Sequence, residues 1–165
     1  MVSIRRMQLG DALQTAEMLR ENLLDWHEKY AKDYYPEKAV DFDMSRHSPE
    51  QLQDLLKVEM NYAFVAEENN KIIGIANGKI VGEPGLAILS SLAVHPNHQN
   101  KGIGKALLEK VIKYCKTKNC HKITLYTLPV LIPAVNLYLK YRFIPEAYLQ
   151  REWWNVDFIK MSKWL

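Results

Sequence analysis

The stretch Leu92-Ala93-Val94-His95-Pro96-Asn97-His98-Gln99-Asn100-Lys101-Gly102-Ile103-Gly104-Lys105 constrains this chain more than any other. An apolar strand passes through a proline-closed loop and two glycines into a long amphipathic helix. The helix spans Gly102 to about Lys118, with Ile103, Leu107, Leu108, Val111, Ile112 and Cys115 along one stripe. Such a pair demands a helix packed on a sheet. The first helical turn leaves backbone N–H groups without partners, and its dipole favours an anion there. Gly102 and Gly104 let a ligand approach the backbone, and Lys101 and Lys105 add charge, so the spacing predicts a phosphate-binding turn. The common nucleotide loops do not fit it. A dinucleotide fingerprint needs glycine where Leu107 stands. A Walker loop needs glycine in place of Gln99 and Ser or Thr in place of Ala106.

The rest of the chain reads as a single domain, 1–165, in the order β-α-α-β-β-β-α-β-α-β-β. Ile4–Met7 is a first strand, and Gly10-Asp11 offers a cap for a helix carrying Ala12, Leu13, Ala16, Leu19, Leu23 and Leu24. From Trp26 to Tyr35 the pattern blurs, and Pro36 closes the region. Ser48-Pro49-Glu50-Gln51 starts a second helix with a cap and a proline at its first position. Tyr62–Ala66 and Ile72–Val81 form a hairpin around Glu68–Lys71, followed by Leu86–His95. Lys122–Tyr126 is a strand and Pro133–Tyr141 a short helix; Phe143-Ile144 and Trp153–Met161 finish as strands. The fold class is therefore α/β or α+β around one mixed sheet.

Composition excludes several functions. Apolar residues are 48% and charged residues 25%, a globular rather than a disordered balance. No apolar run approaches the ~18 residues of a membrane span, so no membrane partner is expected. Met1–Arg6 lacks a secretory h-region, and Cys115 and Cys120 give neither a disulfide framework nor a metal spacing. A cytoplasmic location and no metal are the expectations. The net charge of +3 is too small to imply nucleic acid, and Lys105, Lys110, Lys113, Lys116 and Lys118 lie opposite the apolar stripe as a solvated face.

Gln99-x-x-Gly102-x-Gly104, preceded by Leu92-Ala93-Val94-x-Pro96, resembles the acyl-CoA motif of the GNAT superfamily of N-acetyltransferases. Arg5 and Asp11-Ala12 are similar to its opening strand and helix, and Asn70-Lys71-Ile72-Ile73-Gly74 to its central hairpin. Ala134-x-x-Leu137-Tyr138-x-Lys140-x-x-Phe143 resembles its second cofactor motif. The resemblance implies a mostly antiparallel sheet flanked by helices and splayed at the acyl-CoA site. It implies acetyl-CoA as cosubstrate, its pyrophosphate on the backbone of Asn100, Lys101, Gly102, Ile103, Gly104 and Lys105, with Gln99 opening the loop. The pantetheine arm would lie along Leu92, Ala93 and Val94, and a backbone N–H near Leu92 would polarise the acyl oxygen. Tyr138 takes the family's general-acid position. A primary amine, on a small molecule or a peptide, would attack directly, and dimers are common in the family.

Three places depart from that pattern. Leu131 replaces an asparagine that contacts the pantetheine arm, and Arg142 replaces a glycine, which disfavours a left-handed turn there. Where relatives carry a basic carboxylate stand Ser90, Ser91 and Tyr126. Glu83, in the preceding loop, is the remaining candidate base. Trp26, Tyr30, Tyr34, Tyr35 and Phe42 among Glu28, Asp33, Glu37, Asp41 and Asp43 suit a cationic acceptor. Trp153 and Trp154 read as core or sheet-edge residues. The alternative to an enzyme is an acyl-CoA sensor or interaction module on the same fold.

Overall fold

A computed structural model describes all residues from Met1 to Leu165. Its strands are β1 Ser3–Arg6, β2 Asn61–Glu68, β3 Lys71–Val81, β4 Gly85–Val94, β5 Cys120–Thr127, β6 Ile144–Leu149 and β7 Phe158–Trp164. They form one seven-stranded sheet in the order β1-β2-β3-β4-β5-β7-β6. Every pairing is antiparallel except β4 with β5, which is the crossover through a helix. The helices are α1 Ala12–Trp26, α2 Glu37–Arg46, α3 Pro49–Leu56, α4 Ile103–Thr117 and α5 Ile132–Lys140. None is long and apolar enough to cross a membrane.

Both faces of the sheet centre are covered, which is why β2 and β3 read as near-continuous apolar runs. On one face Ala63, Val65, Ile75 and Ala93 pack under Met18 and Leu19 of α1 and Leu52 of α3. On the other, Phe64, Ala76, Leu89, Ile123 and Met161 meet Ile103, Leu107, Leu108 and Val111 of α4. A third cluster joins Leu23, Tyr35, Ala39 and Val40 to Leu128 and Val156, so α2 caps the ends of β5 and β7.

Local expectations met several tertiary corrections. Ser48 caps α3 as expected, its Oγ accepting from the Gln51 N–H at 3.3 Å. Asp11 does not cap α1. Its carboxylate accepts from the Gln8 N–H at 2.7 Å and from both Arg5 terminal nitrogens at 2.7 and 2.9 Å. The blurred region continues α1 as one wide turn, His27–Ala31, and then forms α2 after Pro36. Only Ala39 and Val40 of α2 are buried, too short a stripe to show as periodicity. At the C-terminus, Trp153–Asn155 is a tight turn with Trp154 at φ 61° rather than the start of a strand, and β7 begins five residues later, at Phe158.

Arg142 adopts the left-handed conformation its side chain disfavours, at φ 61°. The turn is enforced by two hydrogen bonds, Arg142 N–H to Leu139 O at 2.9 Å and Phe143 N–H to Tyr138 O at 3.0 Å. Phe143 then packs on Tyr138 with ring centroids 5.8 Å apart, completing a helix stop of the Schellman type. Left-handed strain costs about 1–2 kcal/mol, partly offset by the extra freedom glycine has when unfolded. Arg142→Gly should therefore stabilise the fold by roughly 0.5–1 kcal/mol, raising Tm by about 2 °C in thermal unfolding.

His47, between α2 and α3, lines a groove with Leu13, Ala16 and Arg20 of α1. Burial, with Arg46 beside it, pushes its imidazole down to about 4, and its Nδ1 has no partner. A depressed folded-state value means the unfolded chain takes up the proton first. The stability this neutral ring supplies is whole above the ordinary 6.5 and lost as pH falls toward 4. Denaturant unfolding at pH 7 and pH 5 should show a loss of up to about 2 kcal/mol that His47→Gln lacks.

Candidate active site

Strand β4 keeps different company along its length. With β3 it stays paired to its last residue, Gly74 opposite Val94. With β5 it pairs only from Gly85/Cys120 to Ile88/Thr124, whereas β5 remains with β7 through Thr127. Beyond Ile88 the sheet therefore opens into a wedge. A register shift between Asn77 and Gly78 against β4 falls at the point of divergence and turns the strand. Ser90 is exposed in mid-sheet because the wedge uncovers it.

The register fixes which backbone groups face the gap. His95 N–H donates to Ile73 O at 2.9 Å, so the peptide groups of residues 95 and 93 point toward β3. Those of Leu92 and Val94 point into the wedge. The Val94 carbonyl is already taken twice, by Asn22 Nδ2 from α1 at 2.8 Å and by Gln99 Nε2 at 3.2 Å. An extended ligand lying there finds the Val94 N–H and both polar groups of Leu92.

At its far end the wedge meets the start of α4. Asn100 and Gly102 both take positive φ, 60° and 81°, which coils the backbone so that successive N–H groups converge. The first intrahelical bond is Ala106 N–H to Gly102 O at 3.0 Å, and no side chain caps the helix. The N–H groups of Gly102 to Lys105 are thus left to a ligand. The lysines contribute less than their positions suggested: Lys101 donates to Asn97 O at 3.0 Å, and Lys105 leans toward Glu109 at 3.9 Å. Backbone donors and the helix dipole are what this mouth would offer an anion. A Cβ on Gly104 would meet Leu137 and Val94 at 3.7 Å, ordinary contact, so the fold itself does not demand glycine there. That same contact shows α5 lying beside the wedge and the helix mouth.

Tyr138, on α5, is buried in the same cluster as Ile103 and Leu107. Burial alone pushes its phenol well above the ordinary range, so the hydroxyl keeps its proton across neutral pH. Glu83 is displaced from the candidate set. It lies in the exposed turn that precedes Gly85, at the opposite end of β4 from Leu92, roughly 25–30 Å away at strand rise. Leu131 packs in the cluster with Leu128 and Val156 and offers the wedge no polar group. Trp153 and Trp154 are neither core nor strand. They stand half-exposed in the β6–β7 loop, Trp153 against Tyr126 at 5.5 Å and Trp154 against Phe42 at 5.4 Å. Arg151, Trp154 and Asn155 all hold positive φ in this loop.

Two polar residues escaped the sequence reading. Asn22 has no signal in the pattern, since its partner lies 72 residues away. Asn77 had one: it is an amide within an apolar strand. It is 5% exposed, opposite Ser91 at the divergence, and its Oδ1 has no partner in the chain. Beside the wedge, Tyr35 donates to Asp43 at 2.8 Å, and burial pushes that carboxyl up. Trp26 packs on Tyr35 at 5.6 Å, and Tyr34 donates to Asp157 O at 3.0 Å. No trio of His, Cys, Asp or Glu side chains converges as metal ligands do.

Comparison with known proteins agrees with this geometry. The family model described as Acetyltransferase (GNAT) family matches residues 20–143. A mycothiol acetyltransferase from Arthrobacter sp. (strain FB24) is 39% identical over 86 residues, half of this chain and 27% of that protein. Streptothricin acetyltransferase A from Bacillus subtilis (strain 168) is 35% identical over 60 residues, 36% of this chain and 35% of that one. Both matches span about a third or less of those relatives. The crystal structure of PaiA N-acetyltransferase from Thermoplasma acidophilum in complex with coenzyme A superposes with TM-score 0.83 at 25% identity, over 100% of this chain and 99% of that one.

Because Gly104 sits in a first helical turn with room for a methyl group, Gly104→Ala should stabilise the ligand-free fold by about 0.5–1 kcal/mol. The same methyl stands where an anion approaches the backbone, so affinity for a pyrophosphate-bearing ligand should fall. Thermal unfolding with and without coenzyme A reads both effects in one experiment.

Proposed function

The chain belongs to the GNAT family of acetyltransferases, and from that premise we propose that it transfers the acetyl group of acetyl-CoA to a primary amine by direct attack. The observation that carries this reading is the open edge of β4 running into an uncapped helix mouth. A thioester arm and its pyrophosphate need that combination: an extended hydrogen-bonding edge followed by converging N–H donors. PaiA, which binds coenzyme A in its crystal structure, shares the whole fold.

In this reading the pantetheine arm lies along Leu92 and Val94 as a further strand, and the pyrophosphate rests on the N–H groups of Asn100 to Lys105. The Leu92 N–H, directed into the wedge, meets the thioester oxygen as negative charge develops on it. A neutral amine attacks the carbonyl carbon, forming the C–N bond. As the C–S bond breaks, the Tyr138 O–H supplies a proton to sulfur, and the proton lost by nitrogen restores the phenol. The buried phenol thus ends neutral, as its surroundings require. Water relayed past Ser90 and Ser91 suits that return, since neither serine is itself a base.

The acceptor enters between α1–α2 and the β6–β7 loop, where Trp26, Tyr34 and Tyr35 lie beside Asp43. Aromatic faces next to a carboxylate favour an amine that arrives as a cation. The relatives named for mycothiol and streptothricin support a small-molecule amine, with a peptide amine as the other class.

Thiol release from acetyl-CoA, followed with Ellman's reagent against polyamines, aminoglycosides, amino acids and peptides, tests the reading. Release should depend on one amine class. Tyr138→Phe should lower kcat by roughly 10²-fold while leaving the KM for acetyl-CoA within about twofold. Equal turnover in the variant removes Tyr138 from the mechanism. The absence of a carboxylate along Ser90–Val94 favours a second reading, an acyl-CoA sensor, and acetyl-CoA binding with silence across the panel would select it.

A further inference from the structure

Away from the wedge, on the β1–β2 side of α4, a cavity of about 340 Å³ is lined by Arg6, Phe64, Lys110, Lys113, Tyr114 and Thr117. The helical residues fall at i, i+3, i+4 and i+7, one face of α4, and Arg6 comes across from the edge strand. Three of the six are cations and none is an acid. Arg5, the neighbour of Arg6, is paired with both Asp11 and Glu67. Arg6, Lys110 and Lys113 take part in none of the chain's ion pairs.

Aromatic rings hold the first two of these charges instead. The Arg6 guanidinium lies 5.1 Å from the Tyr114 ring centre and 6.0 Å from that of Phe64, and the Lys110 ammonium 5.6 Å from Phe64. Phe64 is 2% exposed and forms the floor. The rings preorganise the cations without neutralising them. Favourable interaction with the helix dipole explains lysines in the last turn of α4, such as Lys116. It does not explain Lys110 in mid-helix, nor an arginine from β1. Convergent, unneutralised like charges around a concavity are a site for an anion carrying more than one negative charge, and a guanidinium fork with two ammonium groups matches phosphate.

We propose that this cavity binds a polyphosphate group, free or as part of a nucleotide, at a site separate from the helix mouth. From Gly102 to Lys113 the helix rises by roughly 16 Å, and the wedge lies on the β5 side of β4 while this cavity lies beyond β3. One cofactor phosphate cannot serve both.

Titration calorimetry with sodium tripolyphosphate, GTP and guanosine, each with and without saturating coenzyme A, tests the proposal. With coenzyme A saturating the helix mouth, tripolyphosphate should still bind at one site, and more weakly as salt rises. Lys110→Gln/Lys113→Gln should weaken it at least 10-fold with unchanged thermal unfolding. Arg6→Gln, on a different element, should weaken it independently should the double variant misfold. GTP tighter than tripolyphosphate, with guanosine silent, assigns a nucleotide; equal binding assigns free polyphosphate. The proposal is overturned by three results: no saturable binding, binding that coenzyme A abolishes, or binding indifferent to all three substitutions. An oligonucleotide bound more than 10-fold tighter than tripolyphosphate likewise overturns it, in favour of a nucleic-acid surface.

Discussion

The parting of β4 from β5 after Ile88 and Thr124 is the constraint on which the site depends. Strand β4 cannot satisfy two neighbours that diverge. It stays with β3, where Gly74 lets the strands and α4 close tightly: a Cβ there would lie 3.0 Å from Leu107 and 3.1 Å from the Ala93 carbonyl. The cost is a row of backbone groups on the other edge. Unpaired groups of this kind are expensive when buried, so the wedge has to remain open to water or to an extended ligand. An edge that would be a liability elsewhere is the surface on which the proposed reaction places its thioester arm.

The same trade recurs at the helix mouth. Asn100 spends strain in a left-handed conformation, and α4 forgoes a capping side chain. Both choices weaken the ligand-free fold and leave N–H donors aimed outward. Lys101 and Lys105 are engaged elsewhere, so backbone geometry rather than net charge is what this mouth would offer an anion. Asn22 and Gln99 close the remaining gap by jointly occupying the Val94 carbonyl. Through Asn22, α1 is pinned to Val94, the last residue of β4. The two halves of the proposed reaction thus share one hydrogen-bonded joint.

Much of the architecture was legible in the chain because it rests on local periodicity. The stripe of α4, the cap of α3 and the β2–β3 hairpin depend on residues within a few positions of each other, and each stands where its pattern placed it. Helix α2 was hidden because Ala39 and Val40 are its only buried residues among charged neighbours. Arg142 shows the converse: its preference was read correctly, and two backbone hydrogen bonds with the Phe143–Tyr138 contact overrode it.

What the sequence determined by itself was the strand, loop and glycine-bearing helix from Leu92 to Lys105, and with it an uncapped helix mouth that suits an anion, since spacing along a helix sets which N–H groups are free. Only the tertiary structure decided what surrounds that unit. Glu83 is near Leu92 in sequence but a strand length away, because an extended chain carries its ends apart. Asn22 is far from Val94 in sequence yet bonded to it, because α1 crosses the sheet at that point. Lys110 and Lys113 read as a solvated helix face, and Arg6 as part of the first strand, until β1 and α4 brought them over one aromatic floor. Such contacts depend on register and packing between distant segments, which no local pattern encodes.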